Sequence, residues 1–262
     1  MADADELLRA GDLEGARASL VEAVKKAPQD QQARMFLFQL LCVGGEWDKA
    51  QIQLRSLAQL SPEAQMLSVA YGQAIEAEKY RAQVFAGSAS PALLVSSSAW
   101  AGDLTGSLAA LCQGRIEDAE ALRDKAFEAA PETPGEFNGA AFDWVADGDA
   151  RFGPSFEAII AGQWGLVPFD AVEKVESEGP QDLRDIIWLP AQVFFKTGQS
   201  VAALLPARYP GSETSADAEL RLGRGTDWVE QPWGQAGAGQ HEWSFSEGED
   251  AGLLSLRRLA FR

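Results

Sequence analysis

Histidine is almost missing from this chain, whose 262 residues include only one. Hydrolases and transferases most often use histidine as the general base that activates a serine or cysteine nucleophile. No catalytic set that needs a second histidine can therefore be assembled. The single one, His241, lies between Gly239 and Glu242 in a glycine-rich stretch, where we expect it on the surface or at a strand edge.

Cysteine is scarce as well, with Cys42 and Cys112 far apart in apolar, helix-like segments. Neither has the pair spacing or the neighbouring histidine of a zinc site. We therefore predict two reduced, buried thiols and no metal site. The glycines near residues 223–225 and 234–239 lack the spacing or the lysine of a phosphate-binding loop, so no nucleotide or other cofactor is expected.

Long apolar runs are also lacking. The longest, residues 35–43, is interrupted by Gln39 and is far shorter than the roughly 20 residues that span a bilayer. At the N-terminus, Asp3, Asp5 and Glu6 stand where an export signal has its basic region. These features predict a cytoplasmic protein.

Basic residues are outnumbered, because 22 Lys and Arg against 39 Asp and Glu give a formal net charge of -17. Binding to phosphate backbones or to anionic lipid headgroups requires clustered cations. Nucleic acid and membrane surfaces are therefore not expected as partners. No small-molecule substrate is expected either.

An internal repeat is the most informative feature that is present. Its first copy is Gly11, Leu13, Ala16, Leu20, Ala23 and Pro28, and 34 positions later come Gly45, Trp47, Ala50, Leu54, Leu57 and Pro62. A third copy is Gly114, Ile116, Ala119, Ala126 and Pro131, with Arg123 in place of the leucine. This period and spacing are typical of the tetratricopeptide repeat (TPR).

Elementary physics supports the same interpretation. The glycine ends one helix, the small alanine lets the next helix approach closely, and the proline ends that second helix. Such a hairpin cannot bury its own apolar face, so neighbours must stack. We predict an α-α superhelix with a concave wall over residues 1–131. Its first helices are expected near residues 4–10, 33–42 and 100–113, with a long helix over 61–85.

Two breaks interrupt this helical pattern. Residues 87–98, with Pro91 and three serines, predict a connector or a mobile lip on the groove. After Pro131, glycine and proline become frequent and the apolar runs become short, which predicts a mainly β domain over residues 132–262. One helix is predicted there at residues 154–161, because Pro154 suits a first helical turn.

Acidic residues cluster at Asp147 and Asp149, next to Arg151. Close carboxylates can bind a hard cation, which would suit a metal-dependent hydrolase. The structural alternative pairs Arg151 or Arg184 with these carboxylates, or with Asp182 and Asp185, and so ties loops together. We favour the structural alternative.

Beyond the repeat, the order of motifs resembles the ImpE family, also called TagJ or SciE-type proteins, of bacterial type VI secretion. The similarity lies in FDWVAD at 142–147 with Asp149 and Arg151, GP at 153–154, EAI at 157–159, VPF at 167–169, DLRD at 182–185, Trp188, PAQ at 190–192 and RYPGSE at 208–213. It extends to FLFQLLC at 36–42 and GEW at 45–47, and so spans nearly the whole chain.

This resemblance implies a TPR-like superhelix followed by a small SH3-like β-barrel domain, without enzymatic activity. It also implies a partner, the small subunit of the contractile sheath, bound through its N-terminal helix, with an indirect effect on the sheath-recycling ATPase. A helical-repeat groove can bind an amphipathic helix. Our candidate partner-binding residues are Arg34, Phe38, Leu41, Tyr71 and Gln73, although Phe38 and Leu41 also suit a core. A TPR adapter for an unrelated peptide is the alternative.

Overall fold

The computed structural model describes residues 2–95 and 99–262 of the chain. The described N-terminal part contains α1 (Ala2–Arg9), α2 (Leu13–Lys26), α3 (Gln31–Val43), α4 (Trp47–Ala58), α5 (Pro62–Phe85), α6 (Ala99–Cys112) and α7 (Ile116–Ala129). α1 packs on α2, α3 on α4, and α6 on α7, while α5 follows α4 and also contacts the C-terminal domain. The predicted TPR-like helical region is confirmed.

The repeat glycines have the same role in all three copies. Gly11, Gly45 and Gly114 have φ values of 79°, 66° and 75°, in the left-handed region that a side chain disfavours. In each copy the next residue donates its backbone N–H to a carbonyl five residues earlier, as Glu46 does to Leu41 at 2.9 Å. This is the glycine-dependent end of a helix, and it turns the chain directly into the next helix.

The alanines of the repeat lie where neighbouring helices meet. Ala16 and Ala50 are fully buried and Ala119 is nearly so, as the need for close helix approach predicts. At position 123, where the other copies have leucine, Arg123 donates to the backbone carbonyl of Trp233 in the C-terminal domain. The departure from the repeat pattern therefore provides an interdomain contact.

The connector between α5 and α6 pairs with the C-terminal domain. Leu94 donates to the Leu166 carbonyl at 3.0 Å, and Leu166 donates to the Ala92 carbonyl at 2.8 Å. Of the connector or lip predicted at 87–98, residues 96–98 lie outside the described part. Among the described helices, none has both the length and the apolar character needed to cross a membrane.

The C-terminal part is mainly β, as predicted. Its strands are β1 (Gly135–Phe137), β2 (Ala140–Phe142), β3 (Val145–Asp147), β4 (Ser155–Ile160), β5 (Gln163–Pro168), β6 (Val172–Glu176), β7 (Trp188–Phe195), β8 (Ser200–Pro206), β9 (Thr226–Gln231), β10 (Gly234–Gly239), β11 (Glu242–Phe245), β12 (Ala251–Gly252) and β13 (Arg258–Phe261). A short helix, α8 (Ala218–Arg221), precedes β9.

Strand pairing in this domain is open rather than closed into the ring of an ideal barrel. The large sheet has the order β2-β1-β13-β6-β7-β8-β4-β5, and smaller sheets contain β9–β10 and β3–β11–β12. A register shift between Val172 and Lys174 bends the β6–β7 pairing. The curved sheets enclose an aromatic-rich core that includes Phe156, Phe169 and Trp243.

The helix predicted at residues 154–161 is wrong, because residues 155–160 form β4. Nearly every residue of β4 and β5 is buried, which hides the two-residue alternation that identifies a strand. β4 pairs with β5 along its whole length and with β8 at its end, so long-range pairing determines its conformation.

A shared hydrophobic core joins the two regions. One cluster contains Leu54 and Ile75 from the helices together with Trp164 and Trp188 from the β region. The chain changes from helix to strand between Ala129 and Gly135, close to the predicted boundary at residue 131. The division of the chain into separate domains at residues 1–131 and 132–262 stays a prediction.

Candidate partner-binding cleft

A cleft of about 720 Å³ lies between α5 and the C-terminal sheet. α5 forms one wall with Ala70, Tyr71, Gln73 and Ala74. The facing wall consists of Ile159, Ala161 and Gly162 at the β4–β5 turn, Glu176 to Gly179 and Gln181 after β6, Asp185, Pro190 to Gln192 on β7, and Ala202 to Leu204 on β8. The cleft therefore depends on the position of α5 against the sheet.

Small side chains keep the cleft open. Alanine and glycine supply much of both walls, and the β4–β5 turn is as tight as a two-residue hairpin allows. Ala161 and Gly162 have φ values of 50° and 77°, as in the turns that match strand twist. A side chain at Gly162 would press on Gln73 of α5. The β4–β5 turn can therefore approach α5 closely without filling the cleft.

The charge of the cleft has one sign. Among its described lining residues Glu176, Glu178 and Asp185 are acidic, and none is basic. Lys174 and Arg258 pair with Glu176 at 2.9 and 3.1 Å. The carboxylate of Asp185 accepts the backbone N–H groups of residues 181 and 182. Glu178 is exposed and, within the described part of the chain, forms no ion pair.

The five candidate partner-binding residues fall into three locations. Tyr71 and Gln73 line the cleft. Phe38 is fully buried, and its ring meets that of Tyr71 edge-on at 6.1 Å between centroids. Leu41 is buried and lines a small depression among α2, α3 and α4, while Arg34 binds Gln53 of that same depression at 2.8 Å. The structure thus brings only Tyr71 and Gln73 together at an open surface.

Aromatic rings of both regions meet beneath the cleft. The centroid of Trp188 lies 5.8 Å from those of Tyr71 and Trp47. The guanidinium of Arg184 lies 4.8 Å from the centroid of the Tyr71 ring. Burial raises the pKa of Tyr71 to about 12, despite the opposing effect of Arg184. Tyr71 therefore stays neutral and serves as a packed floor for the cleft.

Buried charged side chains fix α5 to the sheet. Arg81 of α5 donates to both carboxylate oxygens of Glu157 on β4, at 2.7 and 2.6 Å. Glu78, one turn earlier, accepts from the indole of Trp188 at 2.9 Å and lies 3.4 Å from Arg81. Burial disfavours the charged form of Glu157, but Arg81 and His241 outweigh it and lower the pKa of Glu157 to about 2.

His241 continues this network into the β region. Its Nδ1 lies 2.7 Å from a carboxylate oxygen of Asp147, and its Nε2 lies 2.8 Å from one of Glu157. Tyr209 donates to the other oxygen of Asp147 at 2.8 Å. Burial lowers the pKa of His241, yet the two carboxylates raise it to about 9, so the imidazolium is the neutral-pH form.

The prediction of a surface or strand-edge position for His241 is wrong, because its side chain is buried between these carboxylates. The glycines before His241 suggest a flexible surface segment when only the sequence is considered. In the structure they allow β10 to pass close to the Tyr209 ring, because a side chain at Gly237 would overlap that ring. We call Glu78, Arg81, Asp147, Glu157, Arg208, Tyr209 and His241 the junction network.

Arg208 connects the network to the end of α3. It donates to the carbonyl of Val43, the last residue of α3, at 2.9 Å and also to the carbonyl of Arg221. A cation at a helix C-terminus interacts favourably with the helix dipole. With a protonated His241, three cations (Arg81, Arg208, His241) balance three anions (Glu78, Asp147, Glu157), which is a condition for burying so much charge.

The predicted structural charge cluster separates into two ion pairs. Arg151 binds Asp149 through its Nε at 2.9 Å, and Arg184 binds Asp182 at 2.6 Å. Asp149 also accepts the backbone N–H of Gly237 at 2.8 Å. Because Asp147 and Asp149 are both buried and fully engaged by protein donors, we discard the metal-dependent hydrolase hypothesis.

Comparison with known proteins identifies the family. Residues 139–260 match the family model described as ImpE protein, and residues 7–79 match a tetratricopeptide repeat model. The chain is 40% identical to the "Type VI secretion system accessory component TagJ" of Pseudomonas aeruginosa over 258 residues, which cover 98% of this chain and 90% of that protein. The chain belongs to the ImpE (TagJ) family.

A solved structure has the same fold. A crystal structure of a Vibrio parahaemolyticus protein superposes with a TM-score of 0.86, covering 99% of this chain and 97% of that one, at 24% sequence identity. At that identity the likeness concerns the fold alone. The ImpE-family region begins at residue 139 and so contains most of the junction network, whereas the TPR match ends within α5, close to Glu78 and Arg81.

Proposed function

We propose that this ImpE-family chain is a cytoplasmic, non-enzymatic adapter of type VI secretion that binds the N-terminal helix of the sheath small subunit in the cleft beside α5. Through the sheath it would influence recycling by the sheath ATPase. The observation that supports the proposal most strongly is the open cleft between the long helix α5 and the C-terminal sheet. Its volume lies within the range of concave binding sites, roughly 300–1,000 Å³.

The shape of the cleft suits a helix better than a small metabolite. One wall is a surface of α5, and small side chains on β7 and β8 supply part of the other. Helix-in-groove recognition buries one apolar stripe of an amphipathic helix in such a space.

Similarity to a named accessory component supports the secretion context. Asp147, Asp149 and His241 are buried and form hydrogen bonds to other protein groups. This supports a non-enzymatic role, because none of the three is exposed to a substrate.

Isothermal calorimetry with a peptide of the sheath small subunit's N-terminal helix tests the proposal. Ala70→Arg places a long side chain in the cleft and should abolish measurable binding. Ala82→Arg is the matched control, since Ala82 is an exposed alanine of the same helix outside the cleft. If the peptide binds both variants as it binds the unmodified protein, the cleft is not the site. If it binds none of the three proteins, while another partner is captured and Ala70→Arg blocks it, the alternative adapter function replaces this one.

A further inference from the structure

The exposed surface of α5 extends the cleft toward the N-terminal end of the helix. Met66 and Val69 are 74% and 64% exposed, the highest values among the large apolar side chains in the described part of the chain. They lie four residues before Ala70 and Gln73, so all four occupy one face of the helix. Ala70 and Gln73 line the cleft, and the apolar stripe therefore continues directly out of it.

Acidic groups border this extended surface. Glu178 is exposed on the facing wall, and Glu63, also exposed, lies in the first turn of α5, one turn before Met66. The described lining contains no lysine, arginine or histidine, and the nearby Arg184 is paired with Asp182 at 2.6 Å. Charges at the edge of an apolar site steer complementary partners and reject like-charged ones.

We propose that the cleft and the Met66–Val69 stripe form one docking surface for an amphipathic helix whose apolar stripe is flanked by basic residues. The proposal rests on the proposed function, in which the cleft holds a helix, and adds the length and charge of that helix. From Met66 to Ala74 the stripe spans about 12 Å at 1.5 Å per residue, so about two to three turns of the partner fit.

Charge also argues against a second copy of this chain as the occupant. A chain with a formal net charge of -17 repels its own copy, and no excess of basic groups is available to meet the acidic border. A separate basic segment has no such penalty.

A pair of designed peptides tests the charge requirement without depending on the sheath subunit. Both are 14-residue amphipathic helices with leucine at positions i, i+3, i+4 and i+7, one flanked by lysine and its twin by glutamate. Fluorescence anisotropy at low and at high salt should show the lysine peptide binding about tenfold more tightly or better at low salt, with a smaller difference at high salt because exposed charges are screened.

Variants test the two components of the surface. Glu178→Lys should weaken the lysine peptide several-fold, whereas Glu173→Lys, an exposed glutamate of β6 outside the cleft, should not. The double change Met66→Ser and Val69→Ser should weaken both peptides about tenfold through lost apolar burial. Ile52→Ser is its control, because Ile52 is 57% exposed on α4 and does not border the cleft.

The outcomes separate this proposal from the proposed function. Equal binding of the two peptides, or an effect of Met66 and Val69 no larger than that of Ile52, overturns the docking surface even if the sheath helix binds. Binding of the lysine peptide with the expected variant pattern, together with no binding of the sheath helix, supports the surface and rejects the sheath partner. If neither designed peptide binds, the docking surface is rejected.

Discussion

Replacing Arg81 with methionine should strongly destabilise the whole chain. Arg81 donates two hydrogen bonds to Glu157 and a third, at 2.9 Å, to the carbonyl of Arg208. Methionine keeps most of the buried stem and removes the charge, so the change isolates the electrostatic role. Breaking a buried ion pair by removing one partner costs about 3–5 kcal/mol, because the remaining charge is left uncompensated.

The remaining contacts of Glu157 place the expected cost at the lower end of that range. Glu157 keeps its interaction with His241 and still accepts the indole N–H of Trp164 at 2.8 Å. We therefore expect the free energy of unfolding to fall by about 3 kcal/mol in urea titrations monitored by tryptophan fluorescence. In Arg81→Met, Glu78 also loses its cation, which adds to the loss.

Lys79→Met is the matched control on the same helix. Lys79 pairs with Asp48 and Glu76 at 2.8 and 3.2 Å near the surface, where such pairs contribute about 0–1 kcal/mol. The double variant Arg81→Met with Glu157→Gln should lose less than the sum of the two single changes. A loss below about 1 kcal/mol for Arg81→Met, or additivity in the double variant, would refute the account of the junction network.

Three further changes test neighbouring parts of the structure. The pKa of His241 is raised from 6.5 to about 9, so protonation of His241 stabilises the fold by on the order of 3 kcal/mol at most. This stabilisation is fully present below pH 6.5 and is lost as pH rises through 9. His241→Asn should flatten that limb of a stability–pH curve. Gly237→Ala should lower the unfolding free energy by about 1–3 kcal/mol, because its new methyl overlaps the Tyr209 ring; an unchanged urea midpoint would contradict the packing described. Trp188→Phe should cost about 1–3 kcal/mol in the same titration, since buried Glu78 loses a donor; a smaller loss would show that this hydrogen bond contributes little.

The helical repeats could be predicted from sequence because local constraints specify them. A glycine with positive φ, a buried alanine and a terminating proline recur at fixed spacing, and each depends on residues within one or two helical turns. The same locality allowed the long helix α5 to be placed with its correct ends. The mainly β structure after residue 131 could also be predicted from sequence, because glycine and proline are frequent there and the apolar runs are short.

Long-range pairing explains what could not be predicted. The sequence of β4 lacks the alternation of a strand, because its position between β5 and β8 buries both of its faces. The position of His241 depends on Asp147 and Glu157, which lie 94 and 84 residues away in sequence. One signal was available: Glu78 and Arg81 lie on the buried face of α5, alongside Ala74 and Ala77, and charged residues on an apolar face indicate buried partners.

The predicted groove and the observed cleft share only part of their lining, for the same reason, and the binding role of the candidate residues stays a prediction. Tyr71 and Gln73, which the repeat pattern assigns to the groove, line the cleft. Phe38 and Leu41 belong to the same helical array, but the C-terminal domain and the neighbouring helices cover them. Sequence alone gave no indication that the facing wall would come from β7 and β8.

Hydrogen–deuterium exchange of the full chain, with and without the sheath small subunit, tests the central claim most directly. The account predicts slower amide exchange on binding in residues 62–74 of α5 and in the facing segments 176–181 and 202–204, with Ala70→Arg abolishing the change. Protection confined to α2–α4, or to the β9–β10 hairpin, would contradict the assignment of the cleft as the partner site.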